Sequence, residues 1–292
     1  MSKRVLLFVL TNLAVLVMMA LVFFVLGLLG IVPPGSQGSI SGLAVLCLVW
    51  GMVGATISLQ ISRWMAKRAY RIRLVDGRTG DSTLDWLYMT VERQARQKGL
   101  PTPEIGVYES PEVNAFATGP SRRRSLVAVS TGLLRGMSQH EAEAVLAHEM
   151  SHVANGDMVT MALLQGVINA FVMFLARIIG RIVRNSVDER IAWVAYFVTV
   201  VVLDIALGIL GSMIVASFSR YREFRADAGG AELAGRENMI AALKRLMTTQ
   251  ERVDTSQPAL ASFKIAGHRG FLALLSSHPP LDVRIATLQA GR

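Results

Sequence analysis

The most reactive arrangement in the sequence is the pattern H-E-x-x-H formed by His148, Glu149 and His152. On a helix, two histidines at this spacing project from one face about 6 Å apart along the axis, so they can hold one metal ion. Glu149 points about 100° around the helix from His148, where it can take a proton from a water that the ion activates. The three residues predict metal-assisted hydrolysis, in which the carboxylate passes that proton to a leaving amine.

A catalytic zinc takes a third protein ligand and keeps one position open. Two carboxylates compete for this role: Glu223, in the segment SRYREFRAD, and Asp204, inside an apolar run. A membrane hairpin that leaves after Met158 and returns near Ser217 would bring Glu223 back to the surface that carries His152, which favours Glu223. Asp204 costs roughly 2.5 to 3.5 kcal/mol in a bilayer and is seldom idle, and as the ligand it would imply an intramembrane protease.

Two further carboxylates can orient the metal-binding histidines. Asp227 follows Glu223 by four residues and can share its helical face. It can accept the free ring N–H of a ligating histidine and so fix the tautomer. Asp157, just after the motif, can do the same or can cap the next helix.

The composition places these residues in a membrane protein. The chain is 52% hydrophobic and 17% charged, a balance unusual for a soluble protein. Four apolar runs, at 5–32, 40–61, 158–176 and 192–216, are candidate membrane spans. Basic residues before the first run and after the second, between positions 63 and 73, place both flanks of that hairpin in the cytoplasm.

The net charge of +9 bears on which partner the chain contacts, and the single cysteine limits which residues can bind a metal. The basic residues gather beside apolar segments, which indicates contact with anionic lipid and not with nucleic acid. The only cysteine, Cys47, lies inside an apolar run, so the chain can form neither an internal disulfide nor a multi-cysteine metal site.

The segments between the apolar runs predict the elements that hold the motif. Segments 104–108, 113–118 and 125–130 are prone to form strands and suggest a small antiparallel sheet. Ser138 with Glu141 is a capping-box pattern that begins the motif helix, and Asn155 with Gly156 ends it. An amphipathic helix precedes the strands, and its apolar face consists of Leu84, Leu87, Val91 and Ala95.

Four segments together resemble the HtpX family of membrane metalloproteases: HEMSH, SRYREFRAD, NAFATG and HPPLDVRI. That family is of the gluzincin type and is related to the CAAX prenyl endopeptidases. The resemblance implies a mainly α-helical integral membrane protein with a zincin-like α+β protease domain that carries the small antiparallel sheet. It implies one Zn²⁺ per chain, with Glu223 as the third ligand.

The resemblance also implies residues that contact the substrate. Asn114, Ala115 and Phe116 would belong to an edge strand that pairs with an extended peptide, and backbone pairing tolerates varied sequences. His278 and Arg284 match the family's C-terminal pair near the cleft, where a proton or charge donor can stabilise the oxyanion.

The expected organisation is a transmembrane hairpin at 1–62, a protease domain in two parts at 63–157 and 218–292, and a second hydrophobic hairpin at 158–217. The arginines between the third and fourth apolar runs leave the depth of that second hairpin open. We expect a multi-pass protein of the bacterial inner membrane that cleaves unfolded or misassembled membrane proteins on the cytoplasmic side as part of quality control. The sequence implies no particular oligomeric state.

Two alternatives to this expectation stay open. One is an intramembrane metalloprotease that uses Asp204. The other is a non-enzymatic membrane scaffold in which the histidines pack or bind metal structurally, and this alternative leaves Glu149 without a role.

Overall fold

The computed structural model of the chain describes residues 39–256 and 274–291. The first apolar run, at 5–32, lies outside these residues, so the predicted N-terminal hairpin is described only from its second helix onward. The described residues contain eight helices and four strands. In chain order they are α1 (Ile40–Ala69), β1 (Arg73–Val75), α2 (Ser82–Gln97), β2 (Glu104–Tyr108), β3 (Ala115–Ser121), β4 (Arg124–Ser130), α3 (Thr131–Gly136), α4 (Gln139–Asn155), α5 (Asp157–Asn185), α6 (Glu189–Ala234), α7 (Arg236–Ser256) and α8 (Leu281–Gln289). The mainly helical fold with a small sheet is confirmed.

Three of the described helices are long and apolar enough to cross a membrane. They are α1, α5 and α6, with 30, 29 and 46 residues and mean hydropathies of 2.1, 2.0 and 2.4. Helix α6 runs without a break through Ser217, so the fourth apolar run and the segment that contains Glu223 form one helix. No proline interrupts α6, which ends at Ala234, and the next residue, Gly235, has a φ of 92°.

The described residues divide into two compact units. Residues 39–58 and 162–212 form the apolar unit, and residues 59–161, 213–256 and 274–291 form the sheet unit. Both units are discontinuous in sequence, since α1, α5 and α6 each begin in one and end in the other. All predicted site residues except Asp204 belong to the sheet unit.

The sheet of the sheet unit has the strand order β1-β2-β4-β3. The prediction of an antiparallel sheet is wrong in one pairing, because β2 and β4 run parallel, with Ile105 opposite Val127. β3 and β4 form an antiparallel hairpin, and β4 lies between β2 and β3. The physical reason for the strand order lies in the two sequences: six consecutive residues of β4, 125–130, are buried, as in a central strand. β3 contains Pro120, which lacks a backbone donor and favours an edge position.

Helix α4, which carries the motif, is held between two hydrophobic cores. One core joins the sheet and α2 to Leu146, Met150 and Val153 of α4. The other joins α7 and α8 to Ala142 and Val145 of α4. The apolar face predicted for α2 is buried in the first of these cores, since Leu84, Leu87, Val91 and Ala95 are at most 7% exposed. Packing on two sides leaves α4 little freedom to rotate, which fixes the direction of its histidines.

In the apolar unit, α1 and α5 approach each other closely at small residues. A Cβ atom built on Gly51 would overlap the carbonyl oxygen of Gly166 and would lie 2.9 Å from the backbone nitrogen of Ala170. One helical turn along α1, a Cβ on Gly54 would meet no atom within 4 Å in the part of the chain that the structure describes. Small residues at such crossings allow backbones to pack in lipid, where no hydrophobic effect drives helices together.

We therefore expect Gly51→Ala to destabilise the apolar unit, while Gly54→Ala serves as its matched control. Overpacking typically costs about 1–3 kcal/mol, and here the added methyl group would meet backbone atoms that cannot move aside easily. The measurement is the temperature at which the detergent-solubilised protein aggregates. Equal temperatures for the two variants would contradict the close packing at Gly51.

Candidate active site

Helix α4 begins and ends where its sequence signals place it. The side chain of Ser138 accepts a hydrogen bond from the backbone of Glu141, whose side chain in turn binds the backbone of Ser138, completing the capping box. Gly156 ends the helix in the left-handed conformation. His148 and His152 are buried on one face of α4, at 7% and 8% exposure.

Helix α6 brings two buried carboxylates to that face. Glu223 and Asp227 are each 1% exposed, one helical turn apart. The backbones of the two helices approach closely here, since a Cβ on Gly230 would lie 3.2 Å from the backbone nitrogen of His148. The glycine pair that follows Asp227 therefore allows α6 to reach the motif.

His148, His152 and Glu223 together form the group of potential metal ligands found among the described residues. The two Nε2 atoms lie 3.1 Å apart, and the carboxylate oxygens of Glu223 lie 3.5 Å from Nε2 of His148 and 3.4 Å from Nε2 of His152. Tetrahedral ligands at roughly 2.0–2.1 Å from one zinc ion would lie about 3.4 Å from each other. Asp204 is not part of this group; it belongs to the apolar unit.

The carboxylate of Glu223 also lacks the hydrogen bonds that a buried carboxylate needs. Both of its oxygens are buried and accept no hydrogen bond of normal geometry from a described residue. Such atoms require another partner, and two imidazoles with one carboxylate are a donor set suited to a divalent metal. These residues therefore fit a metal ion.

A carboxylate and an arginine lie behind His148. Asp227 Oδ1 is 2.9 Å from Nδ1 of His148. Arg284 of α8 donates to both oxygens of Asp227, with distances of 2.7 Å from Nε and 2.6 Å from Nη2. This arrangement holds the proton of His148 on Nδ1 and directs Nε2 to the metal position.

The same arrangement recurs behind His152. Asp157 Oδ2 is 2.6 Å from Nδ1 of His152, and Asp157 Oδ1 accepts a hydrogen bond from Arg225 at 2.5 Å. Asp157 is fully buried, and its side chain binds these two residues instead of capping α5. Arg225 was missed in the sequence, although its position two residues after Glu223 in a segment of alternating charges could have drawn attention to it.

The structure brings both members of the predicted C-terminal pair to the site. His278 Nδ1 lies 2.9 Å from Glu223 Oε2, and 62% of the His278 side chain is exposed. Arg284 is 6% exposed, and two of its nitrogens are occupied by Asp227, while Nη1 lies 3.5 Å from Glu223 Oε2. His278 is therefore the member of the pair that incoming molecules can reach.

Glu149 is half-buried next to the histidines. It forms no hydrogen bond or ion pair with any described residue, yet its charge acts on His152 and Arg284. A carboxylate that no described residue binds, beside a metal position, is available to hold a proton from another molecule.

Strand β3 forms the edge of the sheet that carries the remaining predicted residues. Ala115 and Phe116 lie in β3, which pairs with β4 on one side and has no strand on its other side among the described residues. Asn114 precedes β3 and is exposed, and its backbone exchanges hydrogen bonds with Ser130. This free edge can accept an extended peptide as a further strand.

An aromatic cluster that was not predicted from the sequence lies beside β3. The rings of Tyr70, Tyr108 and Phe116 have centroids 5.1 to 5.8 Å apart. Burial, with Tyr70 and Glu112 nearby, raises the pKa of Tyr108 to about 12, so its hydroxyl stays protonated at neutral pH. The cluster gives the edge strand a firm apolar support at Phe116.

We expect Asp157→Asn to weaken metal binding, because the amide cannot supply the negative charge that orients His152 and pairs with Arg225. Outer partners of this kind contribute about 10–100-fold to metal affinity. Competition with a chelating indicator measures the effect. The control is Asp188→Asn, which changes an exposed carboxylate before α6, and unchanged affinity in Asp157→Asn would contradict the orienting role.

The protonation of the metal-free site predicts how metal binding depends on pH. Burial disfavours the charged form of His148, but the nearby carboxylates of Asp227 and Glu223 outweigh it and raise the pKa of His148 to about 9. For His152, burial opposes an increase, but the nearby carboxylates of Asp157 and Glu223 outweigh it and raise the pKa of His152 as well. The metal must therefore displace a proton from His148 at neutral pH, and protons compete for His152 more strongly than for a free imidazole.

Since the raised pKa means that protons compete up to about pH 9, apparent metal affinity should increase with pH from neutrality to that value. Each proton released contributes roughly a tenfold change per pH unit. Calorimetric titrations in two buffers of different ionisation enthalpy count those protons. An affinity that stops increasing near the ordinary histidine pKa of about 6.5 would contradict the raised values.

Three described helices are able to cross a membrane, and the group His148, His152 and Glu223 lies beside Glu149 of the H-E-x-x-H motif. Together these features define the class of protein as a membrane-bound metalloprotease. Residues 81–291 match peptidase family M48, and the chain belongs to this family.

Two HtpX proteases are similar to the chain over nearly its whole length. The chain is 52% identical to "Protease HtpX" of Aeromonas salmonicida (strain A449), covering 98% of this chain and 99% of the relative. It is 51% identical to "Protease HtpX" of Shewanella sp. (strain W3-18-1), covering 99% of each. The crystal structure of S. mikatae Ste24p is similar in fold, with a TM-score of 0.64 at 18% identity, and the match covers 98% of this chain but 64% of that longer chain.

Proposed function

We propose that this membrane-bound metalloprotease is a zinc endopeptidase of the bacterial inner membrane, and that it hydrolyses unfolded or misassembled membrane proteins on the cytoplasmic side. The observation that carries the proposal is the group His148, His152 and Glu223 next to Glu149, whose carboxylate has no hydrogen-bond or ion-pair partner among the described residues. The free edge of β3 supports an extended peptide as the substrate.

Each residue has a distinct role in the proposed reaction. His148, His152 and Glu223 would hold Zn²⁺, which when bound supplies Lewis-acid polarisation of a carbonyl oxygen and of water. Glu149 accepts a proton from the attacking water and returns it to the leaving amine nitrogen.

Two groups act on the substrate itself. The backbone of β3 aligns the peptide by strand pairing, which explains action on many sequences. His278, exposed and 2.9 Å from Glu223, can donate a hydrogen bond to the developing oxyanion.

The experiment is degradation of an unfolded soluble protein and of an unassembled membrane protein by the detergent-purified chain, before and after removal of the metal. The proposal expects cleavage inside both chains, loss on chelation and recovery with zinc. Absence of cleavage with every divalent metal would refute the enzyme proposal, and recovery only with another metal would refute zinc.

The proposed orientation has its own test in a Cys47→Ser background. The cysteine of Arg123→Cys, on the exposed β3–β4 turn, should react with an impermeant thiol reagent only after the inner membrane is opened. The cysteine of Ser186→Cys, between α5 and α6, should react in intact spheroplasts if α5 and α6 cross the bilayer. The reverse pattern would exclude a cytoplasmic sheet unit.

A further inference from the structure

The apolar unit contains an open cavity of about 320 Å³ between α1, α5 and α6. This volume is far larger than the roughly 30 Å³ that a water molecule occupies, so a long side chain can enter. Glycines keep the cavity open on two sides, since a Cβ on Gly54 or on Gly208 would meet no atom of the described residues within 4 Å. The remaining lining is partly polar: besides apolar side chains it includes Gln165, Asn169 and Asp204.

Asp204 brings a carboxylate to this cavity. Its Oδ1 is buried and has no hydrogen-bond partner among the described residues. The charge of Arg177 reaches Asp204, but the Arg177 guanidinium donates to the carbonyl of Met173 on its own helix, at 3.1 Å, and forms no ion pair with Asp204 in the described part of the chain. Ionisable groups at membrane depth are seldom idle and normally pair with a group of opposite charge.

The two amides extend the polar surface along α5. Gln165 donates to Asn169 at 2.8 Å, which orients both side chains and leaves the carbonyl oxygen of Gln165 to accept. An ammonium or guanidinium group offers several donors and no acceptor. The carboxylate and the amide oxygen therefore complement a cation better than they complement an anion or an apolar group.

From this charge complementarity we infer that the cavity binds a lysine or arginine side chain in a membrane-spanning segment of the substrate. In an assembled membrane protein such a cation is paired inside the bundle, whereas in an unassembled subunit it lies unpaired in lipid. The cavity thereby distinguishes unassembled segments from ordinary apolar helices. The inference rests on the proposed function and adds to it the feature of the substrate that is recognised.

The test uses the zinc-loaded full chain in liposomes and two reporters. Each reporter has one apolar segment of about 20 residues and an unfolded tail, and only the residue at the segment's centre differs, lysine or leucine. We expect the tail of the lysine reporter to be cleaved about 3- to 15-fold faster, the range that interhelical polar contacts give in membranes. Asp204→Asn should remove this preference, and Gly208→Leu should do so by filling the cavity.

Three further measurements keep the inference falsifiable. Asp188→Asn, the control carboxylate, should retain the preference, and Asp204→Asn should still hold metal and degrade an unfolded soluble protein, which shows that it is folded. A photo-crosslinker at position 54 should attach to the lysine reporter near its centre. If instead it attaches to residues 5–32 of the same chain while the reporter is present, the cavity has another occupant and the inference is wrong.

The outcomes separate the inference from the proposed function. Equal cleavage of both reporters, together with degradation of the unfolded soluble protein, overturns the inference and leaves the protease intact. If no substrate of any kind is cleaved, the proposed function fails and the inference fails with it. If Asp204→Asn still cleaves the lysine reporter faster than the leucine reporter, another part of the chain recognises the cation, and the inference is wrong.

Discussion

A Glu149→Gln variant should bind metal as the wild type does and should cleave peptide bonds about 10²–10⁴-fold more slowly, the usual contribution of a positioned general base. Glutamine keeps the size of the side chain and its place on α4, but it cannot accept the proton. Since Glu149 forms no hydrogen bond or ion pair with the described residues, its replacement breaks no contact that holds the fold together.

The measurement is the rate of degradation of an unfolded protein at matched metal content. Glu143→Gln is the matched control, because Glu143 lies on the same helix, pairs with Arg93 at 2.6 Å near the surface and is outside the metal group. This control should retain nearly full activity. If Glu149→Gln cleaves as fast as the wild type, another residue holds the proton.

The motif helix could be predicted in detail because its signals are local. The capping box at Ser138, the histidine spacing and the terminal Gly156 all act within one helix, and the structure shows them in place. Local signals also identified the face of α2 and the strand at 104–108.

The strand order could not be predicted because it depends on contacts between distant segments. β4 could pair with β2 in either direction according to their alternation alone, and β1 is too short to produce a pattern. The edge position of β3 could be anticipated from Pro120 only once a central partner was known. Tertiary packing therefore determines the strand order and direction, which strand propensity alone does not specify.

The group of metal ligands could be predicted from the order of the helices along the chain. The residues that hold the histidine ligands in place could be predicted only in part. The sequence indicated that Asp157 and Asp227 could orient the histidines, since both lie near the ligands in the chain. It did not indicate that each carboxylate also binds an arginine, because Arg284 comes from a separate helix and no role was assigned to Arg225. Such pairs depend on how α4, α6 and α8 meet.

The second large effect that we expect is the loss of bound metal when the third ligand is removed, and it distinguishes Glu223 from Asp204 in that role. Glu223→Ala should lose bound metal, with an affinity reduced by more than the roughly 10–100-fold attributed to outer partners. Alanine removes the carboxylate that lies 3.4–3.5 Å from both Nε2 atoms and leaves two imidazoles to hold the ion. Activity should fall with the metal content.

Asp204→Ala is the decisive comparison, since Asp204 lines the cavity of the apolar unit and lies outside the metal group. It should retain one equivalent of metal per chain after gel filtration in a mild chelator, whereas Glu223→Ala should emerge without metal. Glu223→Asp adds a finer test: the shorter carboxylate should bind weakly and regain part of the metal at high concentration. If only Asp204→Ala loses the metal, Asp204 is the third ligand and the intramembrane alternative is correct. The reason is that a folded protein which keeps Glu223 would then have lost the ion.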